Sequence, residues 1–238
     1  RGYWRLLLMD FNIYTKFIDK QDDAENWLRD WSIPTGVLGQ YNRIYCLSRN
    51  RWNNIKTRTQ DKQSVLKTSP TYLGCKNLFK DFNEFVEWSR DEVGYNFCDK
   101  IGGKDVLWAI DKDILKIGNI NYSPDTCLLV PCRVNSFMTG RSNDRGDFPI
   151  GLNWHKPLNK FRAQINYLGI RKHLGYFDDI ESAHRAWQLA KIRCGRELAL
   201  DFKINSVIPH PKLYNGLQKI ISTLEDDYSN KRLTTIFN

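Results

Sequence analysis

No run of about 18 apolar residues occurs in this 238-residue chain, so no membrane span is expected. Six cysteines are present, Cys46, Cys75, Cys98, Cys127, Cys132 and Cys194, but none forms a CxxC pair and no histidine lies near them at zinc-finger spacing. The spacings argue against a structural zinc or a disulfide framework and for reduced, mostly buried thiols in an intracellular protein. Histidine is scarce as well. Between Met9 and Trp154 there is none, which removes imidazole chemistry from that stretch. The apolar run in RGYWRLLL, ahead of Met9, is too short for a signal peptide, so a truncated or upstream-extended reading frame is expected.

What the chain has in plenty is positive charge and aromatic mass. Lys and Arg number 36 against 27 Asp and Glu, giving a formal charge of +9 and a pI near 9.2. That excess favours polyanionic partners. Aromatic residues make up 13% of the chain and include 8 Trp, which argues for packed structure rather than a basic tail. The length allows one domain or two small ones.

Residues 10–31 place Phe11, Tyr14, Phe17 and Ile18 at helical spacing, then Trp27, Leu28 and Trp31, which reads as a packing helix with an acidic face. Pro34, Gly36 and Gly39 break the chain. A second helix is predicted over 40–59, with Ile44, Leu47 and Trp52 inward and Arg43, Arg49, Arg51, Lys56 and Arg58 exposed. Between 69 and 94 a turn precedes a helix whose Phe79, Phe82, Phe85, Val86 and Trp88 make a core stripe. Over 106–137 a β-rich run ends at the Gly118-Asn119 turn, a second run reaches Val130, and Pro131 opens a short helix, which is a ββα unit. Asp111 and Asp113 share a side of the first strand if it is regular, as a metal site would need; Asp111-Lys112-Asp113 also reads as a solvated edge or a salt-bridged structural motif. Tyr122-Ser123-Pro124-Asp125 reads as a turn with Asp capping.

The sharpest pattern lies in residues 150–190. Across KFRAQIN, Phe161, Ala163 and Ile165 alternate with Lys160, Arg162, Gln164 and Asn166, the period of a half-buried strand. After Asp178, a plausible N-cap with Glu181 three residues on, Ile180, Ala183, Ala186, Trp187, Ala190 and Cys194 form a helical stripe that can cover the apolar face. The opposite face then carries Asn153, His155, Lys160, Arg162, Gln164, Asn166, Arg171 and His173, side chains suited to base edges and phosphates in a major groove. His184 reads as a surface or interface histidine, and residues 213–228 as an amphipathic helix for packing or dimer contact.

Two stretches resemble known families. AIDKDIL and GNINYSPDTCLLVPCRVN, preceded by YNRIYC, RWNN and SPTYLGC, resemble phage-encoded endonucleases of the HNH, or His-Me finger, superfamily. LGYFDDIESAHRAW and the strands before it resemble the ethylene-response-factor-type, or Apetala-type, DNA-binding domain that phage homing endonucleases share with plant transcription factors. Together the resemblances cover about residues 40–195, and the second is the more specific. The first implies a hairpin that holds one divalent cation, Mg²⁺ or Mn²⁺, for phosphodiester hydrolysis. By motif, the first-strand position falls on Asp111 or Asp113, the loop position on Asn119 or Asp125, and the helical ligand on Asn135. Catalytic candidates are thus Asp111, Asp113 and Asn119, and metal ligands Asp111, Asp113 and Asn135. The family's imidazole base is absent, so either Asp111 takes that role or the hairpin no longer cuts. A carboxylate is a weak base unless its site is desolvated. The second resemblance implies that the sheet reads the major groove, with base and phosphate contacts at Asn153, His155, Gln164, Asn166, Arg171 and His173; Lys172 falls where that family tends to be apolar.

The expected fold is therefore α+β: a helical N-terminal segment (1–39), an HNH-like ββα domain (40–138), a linker (139–149), a three-stranded antiparallel sheet packed on one helix (150–200) and a helical C-terminal segment (201–238). The expected partner is double-stranded DNA, with no membrane and an intracellular location, the host cytoplasm if the chain is phage-encoded. A DNA endonuclease targeted by its sheet module is the first functional expectation. A catalytically inactive, repressor-like DNA-binding protein is the second, and an RNA-binding or virion protein the third.

Overall fold

Two antiparallel strands of three residues each divide the hydrophobic interior. They are β4 (Ala109–Asp111) and β6 (Leu128–Val130), paired Ala109 to Val130, Ile110 to Leu129 and Asp111 to Leu128. Successive strand residues face opposite ways. Ile110 and Leu129 therefore enter one apolar cluster while Leu128 and Val130 enter another. The computed structural model describes residues 48–59, 63, 65, 67, 72–95, 97–101, 104–139 and 148–237. The expected helix over 10–31, the breaks at Pro34, Gly36 and Gly39, the residues Arg43, Ile44 and Leu47, and most of the expected linker lie outside them.

The smaller cluster gathers α1 (48–59), β1 (Lys76–Asn77), α2 (Phe82–Asp91) and β5 (Asn121–Tyr122). Trp52 of α1 meets the Phe85 ring at 5.4 Å, and Phe79 meets Phe85 edge-on at 5.2 Å. Asp81 caps α2 by accepting the Glu84 N–H at 2.9 Å. Arg51 departs from its expected exposure and is buried. Its guanidinium donates to the carbonyls of Trp108 (2.9 Å) and Tyr95 (3.1 Å), which compensates part of the lost hydration. Gly118 turns the chain at φ 72, as expected, but β5 then pairs in parallel with β1 rather than extending β6. A further hairpin, β2 (Cys98–Ile101) and β3 (Lys104–Leu107), precedes β4.

The larger cluster runs from Trp108, Ile114, Val134 and Phe137 through the C-terminal half of the chain. Helix α3 (Cys132–Met138) follows β6 directly, after Pro131. A three-stranded antiparallel sheet comes next, in the order β7 (Leu152–His155), β8 (Lys160–Tyr167), β9 (Ile170–Phe177). Leu168 and Gly169, both at positive φ (53 and 78), close the two-residue turn between β8 and β9. Helix α4 (Ile180–Leu200) packs on the sheet, and α5 (Pro211–Ser229) packs on α4. The fold is thus mixed α+β with an antiparallel sheet on a helix.

Three details of α4 depart from expectation. Asp179, not Asp178, is its N-cap and accepts the Ser182 N–H at 2.7 Å. Ile180 is exposed rather than part of the covering stripe, because it sits in the first turn beyond the sheet. His184 is buried and not on the surface: its ring lies parallel to Trp187 at 5.5 Å, with hydrogen-bond contacts to Ile150 O and Thr234 Oγ1. Gly151, at φ +87, lets the chain cross Trp187 so closely that a Cβ would stand 1.9 Å from Cδ1 of the indole. Cys75, Cys127, Cys132 and Cys194 are free thiols. No helix among the described residues is long and apolar enough to cross a membrane.

Candidate nucleic-acid interface

The alternation in KFRAQIN builds the site. Ala163 and Ile165 are buried against α4 and Phe161 packs partly against the same cluster, so Lys160, Arg162, Gln164 and Asn166 lie on the other side of β8. Strand register carries that face across the sheet. His155 stands opposite Lys160, Arg162 lies between Asn153 on β7 and Tyr176 on β9, Gln164 stands opposite His173, and Asn166 opposite Arg171. The sequence-expected DNA contacts are thereby brought onto one face, with Asn166, Arg171 and His173 exposed and the others half-buried.

One contributor was missing from the sequence reading. The β8–β9 register shifts between Ala163 and Gln164: Gly175 pairs with Ala163, yet His173 pairs with Gln164, leaving Leu174 as an extra residue. In a regular strand Tyr176 and His173 would face opposite ways. The irregularity puts both on the open face, where the Tyr176 ring lies 4.6 Å from His173 and 4.8 Å from His155. It also places Lys172 opposite Ile165, on the helix side of an edge strand, where the amine stays exposed.

Neighbouring groups restrain two of the face cations. Arg162 Nε donates to Asn153 Oδ1 at 3.1 Å, and Lys160 pairs with the exposed Asp178 at 3.0 Å. Gln164, Asn166, Arg171 and His173 carry no such polar tie among the described residues. No family model, curated protein or solved structure matches the chain. The reading of this face therefore stands on its own geometry.

The candidate catalytic residues are held differently. Asp111 ends β4 and is buried, and its Oδ1 accepts the N–H groups of Asp113 (2.9 Å) and Ile114 (2.8 Å). Burial holds its carboxyl above the usual carboxylate range. Lys112, also buried, extends its ammonium to both Asp113 oxygens at 2.8 Å and to Asn119 O. The Asn119 amide donates to Lys112 O (2.8 Å) and Asn121 O (2.6 Å) and accepts the Asn121 N–H (3.2 Å). Ser123 and Thr126 close the following turn through their hydroxyls at 2.9 Å, with Asp125 exposed, and Asn135 is half-buried on α3. Asp113 is thus paired with Lys112 and Asn119 with the backbone of its own loop, while Asp111 is held by two backbone N–H groups. Among the described residues no three His, Cys, Asp or Glu side chains gather where one ion could be held.

Proposed function

We propose that this chain binds duplex DNA by laying the open face of β7, β8 and β9 in the major groove. The observation behind the reading is the register that aligns Asn153, His155, Arg162, Gln164, Asn166, Arg171, His173 and Tyr176 on one side of a three-stranded sheet. Strands lie about 4.8 Å apart, so the outer two are separated by about 10 Å, inside a groove about 12 Å wide. The eight residues of β8 extend about 24 Å, roughly seven base-pair steps. Arg171 is suited to guanine, Gln164 and Asn166 to adenine, and Lys160 to phosphate. Selection from a randomised duplex pool, followed by anisotropy titrations at several salt concentrations, tests the reading. The expected result is an enriched sequence whose log K falls linearly with log salt, with a slope of roughly −0.9 per neutralised phosphate. A pool that stays random through repeated rounds would sink it.

A second reading, a phage-type endonuclease of the HNH class, draws on the strand, strand, helix order of β4, β6 and α3 and on the desolvated Asp111 carboxyl. In this reading Asp111, Asp113 and Asn135 would hold a divalent cation, which would stabilise the leaving oxygen. Plasmid incubated with Mg²⁺ or Mn²⁺ separates the readings. Nicking that Asp111→Ala or Asn135→Ala abolishes, with duplex binding retained, supports the nuclease. Intact plasmid with selective binding retained supports a non-cutting, repressor-like protein.

A further inference from the structure

β7 pairs with β8 only as far as Leu152 and Ala163, and Gln164 N–H makes one more bond, to Gly151 O at 2.9 Å. Beyond that point, α3 faces the edge of β8 across a cavity of about 420 Å³ in place of a neighbouring strand. That is the size of a small-ligand site. Arg133, Arg171 and Lys191 line it, and no Asp or Glu does. Ser136 and Thr139 add hydroxyls, and Tyr167 adds flat apolar surface.

Lys191 decides the class of ligand. It sits on α4 at 5% exposure, donates Nζ to Phe137 O, and lies 4.1 Å from the Phe137 ring centroid and 4.5 Å from that of Phe237. Among the described residues no carboxylate pairs with it. Carbonyl oxygen and ring faces compensate only part of the cost of burying an ammonium, and a buried charge is ordinarily matched by an opposite one. An anion in the adjoining cavity would supply that match. Arg133 is already paired with Asp201 at 3.4 Å, whereas Arg171, exposed at the cavity rim, has no such partner among the described residues.

We propose that this cavity is a binding site for a nucleotide-sized phosphate ester, its phosphoryl group held by Lys191 and Arg171 and its ring against Tyr167. A free mononucleotide and the phosphorylated end of a DNA strand both carry that chemistry. Asn153, Gln164, Asn166 and Arg171 line this cavity and also belong to the proposed duplex face, but a chain that bound no duplex would still bind a mononucleotide here, so the two readings fail separately.

Calorimetric titration of the full chain tests the proposal, using inorganic phosphate, deoxyadenosine monophosphate, a terminally phosphorylated tetranucleotide, and deoxyadenosine as the uncharged control. Saturable binding of the phosphate-bearing probes is expected, with deoxyadenosine weaker by about tenfold or more. Lys191→Met and Arg171→Ala should each weaken phosphate-ester binding by about tenfold or more, and the exposed Arg171 keeps the test open should the Lys191 variant fail to fold. Tighter binding of the monophosphate identifies a free nucleotide, and tighter binding of the tetranucleotide identifies a strand end. No saturable heat from any phosphate probe at about 10 mM, or binding that survives both substitutions, overturns the proposal.

Discussion

Replacing Lys191 by Met should stabilise the protein at neutral pH and destabilise it in alkali. Burial pushes the ammonium down from 10.5 to about 7, with the Cys194 thiol acting weakly in the other direction. The surrounding elements offer it the rings of Phe137, Trp187 and Phe237 and the charge of Arg133 on the same cavity wall. Between those two pH values the unfolded chain binds more protons than the folded one, so stability rises with pH across that window. At pH 7 the ammonium therefore costs about 4 kcal/mol. Methionine keeps the volume and discards the charge, but leaves the Phe137 carbonyl without its donor at a cost of about 2 kcal/mol. The variant should gain about 2 kcal/mol at pH 7, or roughly 4–8 °C in Tm. It should be about 2 kcal/mol less stable once the wild-type amine is neutral, and the two stability curves should cross at about pH 9. Urea unfolding followed by tryptophan fluorescence, in phosphate-free buffers from pH 7 to 10.5, measures both curves. Parallel curves, or a variant less stable throughout, would refute the reasoning.

Gly151→Ala should cost about 3 kcal/mol or more, because the new Cβ meets the Trp187 ring and φ stays positive; a Tm within about 2 °C of wild type would contradict the close approach. Arg171→Ala should weaken selected-duplex binding by about 1–3 kcal/mol, and Lys160→Ala, whose partner Asp178 is exposed, by less than about 1 kcal/mol. The reverse ranking in anisotropy titrations would remove Arg171 from the interface. Burial pushes the His210 imidazole, which lies parallel to Trp108, from 6.5 to about 4. The unfolded chain takes up the extra proton in that window, so stability should fall as pH drops from 6.5 toward 4. His210→Gln should flatten that decline, and an unchanged slope would show that another group causes it.

Much of the sheet was legible because its determinant is local. Period-two alternation in KFRAQIN acts within a few residues. Tyr176 was hidden by an irregular register, since strand parity counted from His173 assigns it to the wrong face. Lys191 did carry a signal, standing four residues after Trp187 on the stripe that covers the sheet, but a lysine there reads as solvated until Phe137 and Phe237 are known to close over it. Arg51 was illegible for a related reason. Its acceptors, the carbonyls of Tyr95 and Trp108, lie 44 and 57 residues away. The Asp111-Lys112-Asp113 run left two readings open because the contacts of Lys112 with Asp113 and Asn119 depend on the loop that follows β4.

Helix α4 is solvent-poor on two sides, and this bears on how the sheet can be moved between proteins. Gly195 lets Ile221 of α5 approach to 3.0 Å of where its Cβ would stand, and Gln188 reaches beyond α5 to Arg232 O at 2.9 Å. A graft ending at Leu200 would carry the recognition face but expose the α5-facing side of its supporting helix, inviting aggregation. A transplanted cassette must therefore extend through the C-terminal segment, so that Thr234 and Ile236 travel with the helix they support, and must keep α3, whose Phe137 closes over Lys191.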